Sequence, residues 1–356
     1  MIPGMLEPLP ITSVEVAPLT IPMTRPISSA LGTYTSIEGV SVFIHTDGPS
    51  GFGFNLGLGG KPAGALAAYV QDELVPLAMG ADARAPEALW HRLWAPNKAR
   101  IRGGLGAWAL SAVDVACWDV AAKAASIPLH SMLGGYRTTV PVYGSGGWHS
   151  LSDAELVAEA ERFASQGIRA YKYKVGSPHD LRRTAALRQA MGDDFTLLAD
   201  GNQGFTVRTA LETAAMLADH GVAWLEEPVL ADTVDDLAEV AASSPVPVAA
   251  GENAYFRWGF RHLCERRAAS FLQPDVVRCG GVTEFRRIAA LAESFGLALS
   301  SHLWHELSIT VVGASPAGWM AEYTDLVPPE TWTRQFPVVD GCIEVPRVPG
   351  HGLELA

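Results

Sequence analysis

Cysteine, charge and basic residues are all scarce in this chain, and each shortage excludes a class of protein. Four cysteines, Cys117, Cys264, Cys279 and Cys342, are scattered over 356 residues with no Cys-x-x-Cys pair. A zinc ribbon or a disulfide scaffold needs closer, paired spacing, so these read as reduced thiols of a cytoplasmic protein. Charged residues make up only 18% of the chain, and acids outnumber bases to a net charge of −12. Nucleic acid and anionic membranes both require a basic face, so neither is an expected partner. Met1 to Pro10 lacks the basic start and apolar stretch of a secretory signal. No run reaches the ~20 apolar residues of a membrane span. The nearest approach, Leu105 to Ala125, carries Asp114, Asp119 and Lys123.

What is plentiful is apolar residue, 48% of the chain. That is enough for a large core in two domains, or in one barrel with an addition. Ile11 to Pro18 and Gly39 to His45 alternate in strand fashion, and Asp47-Gly48 reads as a turn into a third strand near Gly51 to Leu56. Lys61 to Met79, Pro86 to Trp94 and Leu105 to Ala125 carry apolar residues at helical spacing. Strands followed by helices predict an α+β domain over residues 1–136, ending at Gly134-Gly135. Beyond it, short apolar strands begin near Val140, Ala170, Thr196, Ala223, Val246, Phe271, Ala298 and Trp319, mostly with helix-like stretches between. Such alternation implies parallel strands, and eight of them can close into a barrel over residues 137–323. Residues 324–356, rich in proline, are expected to run back over the first domain.

Polar residues recur at the ends of these strands: Lys174, Asp200, Glu226, Glu252, Asp275, His302 and Glu322. Each step equals about one strand-helix unit, so all are expected on the same rim, where barrels of this type build their sites. Asp200, Glu226 and Glu252 fall on three neighbouring strands. Converging carboxylates repel unless a cation lies between them, and an all-oxygen set favours magnesium. Isolated charges at strand ends would simply face water; three in step on adjacent strands argue for a metal site. Lys172 and Lys174 share one face of their strand, and two adjacent ammonium groups are expected to lower each other's proton affinity, suiting one as a base. Asp275 and His302 end consecutive strands, and a carboxylate on one imidazole nitrogen raises the basicity of the other. Lys174 and His302 would then flank one bound molecule from opposite sides. Proton removal beside a carboxylate becomes feasible where the developing negative charge is neutralised.

With these residues in place, the chain resembles the enolase superfamily, and within it the mandelate racemase subgroup. The motifs are Lys172-x-Lys174, Asp200-Gly-Asn202, Glu226-Glu-Pro228, Gly251-Glu252-Asn253, Pro274-Asp275 with Gly280-Gly281-Val282, Ser301-His302-Leu303, and Glu322. Ala116-Cys-Trp118-Asp119, Lys123 and Leu133-Gly134-Gly135 extend the resemblance into the first domain. It implies an α+β capping domain over an α/β modified TIM barrel, (β/α)7β, often assembled as a homo-oligomer. It also implies magnesium on Asp200, Glu226 and Glu252, acid/base roles for Lys174 and His302, and Asp275 as the partner of His302. Lys172 and Glu322 would meet the substrate carboxylate, Glu322 as a donor if protonated, and Asn202 would lie near the metal and the α-hydroxyl. Cycloisomerases and dipeptide epimerases of the superfamily carry a lysine where this chain has Asp275, which argues for a different reaction.

The implied activity is abstraction of the α-proton of a hydroxy acid. One outcome is acid-sugar dehydration to a 2-keto-3-deoxy acid; the other is racemisation. Tyr143-Gly-Ser-Gly-Gly147 and Phe271-Leu-Gln-Pro-Asp275 resemble galactarate/talarate-type dehydratases, which favours dehydration. A capping loop over Arg25 to Thr35 would offer Arg25, Ser28, Ser29, Thr33, Tyr34 and Thr35 to a polyol; Phe52, Phe54 and Leu56 are expected to line a second capping loop, with Trp148 contributing. A protein that keeps this fold only to bind is disfavoured, because every acid, base and metal position is filled.

Overall fold

The computed structural model describes residues 7–59 and 61–356. The reading of Met1 to Pro10 therefore falls largely outside the described residues. The chain opens with three antiparallel strands, β1 (Ile11–Ser29), β2 (Gly32–Thr46) and β3 (Gly51–Leu58), in the order β1-β2-β3. Val40, Val42 and Ile44 of β2 turn into a core shared with Leu66, Leu74, Leu110 and Val113 of the helices that follow. The helix Gly104–Ala124 crosses β3 at close range. Gly51 and Gly53 make this possible: a Cβ at either would press on the carbonyl of Ala116 or Ala112. This helix is long and apolar enough to pass for a membrane span by composition, but 89% of its most apolar window is buried inside the protein. Two of its three charges are internal, Asp114 and Asp119, and the half-buried Lys123 pairs with Asp119 at 2.7 Å.

The barrel follows. Its parallel strands are β4 (Thr139–Ser145), β5 (Ala170–Lys174), β6 (Thr196–Asp200), β7 (Val222–Glu226), β8 (Val248–Ala250), β9 (Phe271–Leu272), β10 (Ala298–Leu299) and β11 (Ala321–Tyr323). Their order is β10-β9-β8-β7-β6-β5-β4-β11, and a parallel bridge between Leu299 and Gly318 closes the ring. Trp224, Phe271 and Trp319 pack ring to ring inside it, with centroids 5.1 to 5.5 Å apart, and Tyr143 meets Trp224 edge-on. This aromatic plug leaves only one end of the barrel for chemistry.

Two expectations need correction, and one needs extending. Arg25 to Thr35 is a hairpin rather than a loop: β1 and β2 pair as far as Ser29 opposite Gly32. Backbone pairing carries the strands beyond the apolar residues that marked them. Helices Asp153–Ser165 and His305–Gly313 were missed. The first has a legible start, because Ser152 and Glu155 form a reciprocal capping box. The second is buried along its whole length, so it lacks the two-faced pattern that reveals a surface helix. Finally, the terminal segment serves both units. Its strand β12 (Cys342–Glu344) runs antiparallel to β4, while His351 reaches the carbonyl of Phe52 at 2.7 Å.

The cap is fastened to the barrel by buried polar contacts. Asp114 accepts from the Thr283 amide and hydroxyl at 2.9 and 2.6 Å, capping the barrel helix Gly281–Phe295 from the other domain. Asn55 donates to the Val277 carbonyl at 2.6 Å.

Candidate active site

Parallel pairing sets Lys174 beside Asp200 and Asp200 beside Glu226. Glu252 follows two residues after β8, so Asp200, Glu226 and Glu252 each bring a carboxylate oxygen within 4.8 Å of the other two. Asp200 and Glu226 are wholly buried and Glu252 is 8% exposed. Burial, with Asp200, Glu322 and Glu252 close by, pushes the Glu226 carboxyl up to about 8 despite Lys172. A divalent cation would relieve this crowding, and the all-oxygen donor set matches magnesium. Asn202 adds to the fit: its amide donates to Asp200 at 3.3 Å, while its buried Oδ1 lacks a partner. These residues fit the ion.

Both lysines point inward against acids. Lys172 Nζ lies 2.7 Å from Glu226 and 2.8 Å from Glu322, and Lys174 Nζ lies 2.5 Å from Asp200. The expectation that paired ammonium groups depress one another fails for Lys172. Burial pulls its pKa down, but Glu226 and Glu322 outweigh that and hold it well above the usual range. Glu322 is corrected in the same way. Burial pushes its carboxyl up, yet Lys172 and His302 bring it down to about 2, and it accepts from the Leu303 amide at 2.7 Å. In this arrangement it is an ionised acceptor, not a donor.

On the far wall, His302 Nδ1 meets Asp275 at 2.8 Å and its Nε2 meets Glu252 at 3.1 Å. Burial opposes its charge, but the two carboxylates raise its pKa to about 9. Lys174 and His302 line one cavity together with Asn202, Glu252, Asp275 and Glu322. Lys172 lies beneath it. Directly after the acid and imidazole positions, Asn202, Gln203, Glu227, Leu303 and Trp304 all adopt positive φ. Such backbone costs about 1–3 kcal/mol per residue and gathers where a site demands it.

The outer wall departs from expectation. Trp148 lines the cavity and packs over Lys174, whose Nζ is 4.8 Å from the ring centroid. Of the hairpin residues expected there, Ser29 and Tyr34 line it, joined by Leu31, while Ser28 and Thr33 do not, because neighbours along a strand face opposite sides. Arg25 is held by Glu159 and Asp325 at 2.6 and 3.0 Å. Phe54 is fully buried between Phe52, Trp304 and Trp332, and its neighbour Asn55 faces the cavity. Sequence reasoning missed Trp108 and Arg278, which complete the wall. Arg278 lies three residues past Asp275 in a stretch already marked by motif, the one signal that pointed to it.

A capped barrel with this acid trio, lysine pair and histidine–aspartate dyad has the architecture of the enolase superfamily. The chain belongs to its mandelate racemase/muconate lactonizing enzyme family: the N-terminal domain of that family matches residues 11–134, and an enolase C-terminal domain-like region matches residues 155–356. A 3,6-anhydro-alpha-L-galactonate cycloisomerase from Streptomyces coelicolor is 35% identical, over 93% of each chain. The structure of a racemase from the same organism, with bound magnesium, superposes with a TM-score of 0.92 at 34% identity, covering 97% of both chains. L-Talarate dehydratase from Polaromonas, solved with magnesium and L-glucarate, gives a TM-score of 0.91 at 32% identity, over 98% of this chain and 95% of that one. The fold, family and magnesium expected from the sequence are thus borne out. Among these relatives is a cycloisomerase, a class that Asp275 argued against.

Proposed function

We propose that the protein removes the α-proton of a small hydroxy acid of the acid-sugar type and then eliminates its β-oxygen. The observation that supports this reading is that Lys174, on β5, and His302, just past β10, line one cavity, and that the strands ending at the acid trio lie between theirs in the barrel order. Asp200, Glu226 and Glu252 would hold magnesium, which when bound supplies positive charge to offset that of the enediolate. Lys172 would meet the substrate carboxylate as a cation. Lys174 would take the α-proton. His302, oriented through Nδ1 by Asp275, would give a proton to the departing oxygen from Nε2. Asn202, with its free Oδ1, would accept from the α-hydroxyl. Trp148 would close the site against water.

The β-oxygen can leave as water, giving a 2-keto-3-deoxy acid, or remain tethered when it belongs to a ring. The second outcome has its own support. Beyond the polar floor, Leu31, Leu56, Leu58, Trp108 and Trp148 make much of the wall apolar, a surface suited to a compact ring better than to a fully hydroxylated chain. The test is incubation with magnesium in deuterated buffer against open-chain aldonic and aldaric acids, their lactones and anhydro acids. Keto-acid product bearing solvent deuterium at C3 is expected from at least one. No exchange and no product across the panel would refute the reading.

A further inference from the structure

The third acid of the trio is held by a chain of contacts that begins in the other domain. Asn253 Nδ2 donates to Glu252 Oε1 at 3.1 Å and to Glu227 Oε2 at 2.6 Å. Its amide oxygen accepts from Arg278 Nη2 at 3.0 Å. An asparagine amide can flip, and the flipped form would turn its oxygen on two carboxylates. A guanidinium has only donors, so the contact from Arg278 excludes the flip. Arg257, Arg286 and Arg287 all pair with carboxylates, whereas Arg278 makes no ion pair among the described residues. Its guanidinium lies instead over Trp108 of the capping helix Gly104–Ala124, 5.1 Å from the ring centroid.

We propose that Arg278 is a positioning residue for Glu252, acting through Asn253, and that Trp108 holds it in place, so that magnesium affinity depends on how the capping helix is seated. This rests on the assignment of Asp200, Glu226 and Glu252 to magnesium. Groups that orient a metal ligand are typically worth ~10–100-fold in affinity.

The test measures Mg2+ binding by calorimetry on the full chain after metal removal, alongside kcat and KM. Arg278→Met should weaken binding by roughly tenfold or more, Asn253→Ala by a similar factor, and the double variant no more than Asn253→Ala alone. Arg278→Lys, which keeps charge but loses the fork, should fall between, and Trp108→Leu should shift affinity in the same direction. If Arg278→Met fails to fold, Arg278→Lys and Asn253→Ala carry the comparison. Wild-type Mg2+ affinity in the Arg278 variants with a raised substrate KM would overturn the proposal and make Arg278 a substrate contact. Losses that multiply in the double variant would overturn it too. A wild-type chain that binds no Mg2+ would remove the metal site itself; normal binding by wild type and variants alike removes only this inference.

Discussion

Magnesium affinity should climb with pH and level off above about 8, and Glu226 sets the window. Burial, with the neighbouring acids, raises its carboxyl to about 8 in the folded chain. Ion and proton compete for that carboxylate, so affinity is suppressed below this value and is released above it. Each unit of pH over which a proton has to be displaced from Glu226 weakens binding by about tenfold, or ~1.4 kcal/mol. The same raised pKa means that the metal-free fold loses stability as pH rises from the unfolded carboxyl range towards 8. Mg2+ at about 100 times its Kd should return ~2.7 kcal/mol. Calorimetry in two buffers of different ionisation heat would count the protons displaced: close to one per ion near neutrality, falling towards none well above 8. Glu226→Gln should remove both the strong binding and the proton release. Affinity that stays flat from about pH 6 to about pH 9 would refute the argument, because it would mean that no proton competes at Glu226.

Three other outcomes are expected. Lys174→Ala and His302→Asn should each lower turnover by roughly 10²–10⁴-fold. In deuterium exchange the Lys174 variant should lose α-proton exchange while the His302 variant retains it, and normal turnover in either would defeat the assignment of bases. Phe54→Ala should destabilise by roughly 3–5 kcal/mol in a urea titration and leave substrate KM nearly unchanged, since the ring lies in the core. Asp114→Ala should strand the Thr283 amide and hydroxyl at the domain seam, costing about 1–3 kcal/mol per unpaired group by thermal or urea unfolding.

The candidate site on the barrel rim was readable because it obeys a period. One strand and one helix consume a near-constant number of residues, so Lys174, Asp200, Glu226, Glu252, Asp275, His302 and Glu322 announce themselves by spacing. The wall of the cavity has no period. Phe54 and Asn55 are neighbours in the chain, yet one fills the core and the other faces the site, and which does which depends on how β3 packs against the Gly104–Ala124 helix. Helix His305–Gly313 escaped notice for a related reason: a segment buried on every side carries no amphipathic signature.

By itself the sequence determined an α+β domain followed by eight parallel strands, and the spacing of the acids, lysines and imidazole along them, because local periodicity and side-chain type encode these; that the first domain caps the barrel came from the resemblance to a family. Only the tertiary structure decided their charge states and company. Lys172 is a firmly protonated cation because Glu226 and Glu322 surround it, and Glu322 is an acceptor for the same reason. Trp108 meets Arg278 only where cap and barrel close on each other. Electrostatic state depends on distance and burial in space, and neither is a property of position along the chain.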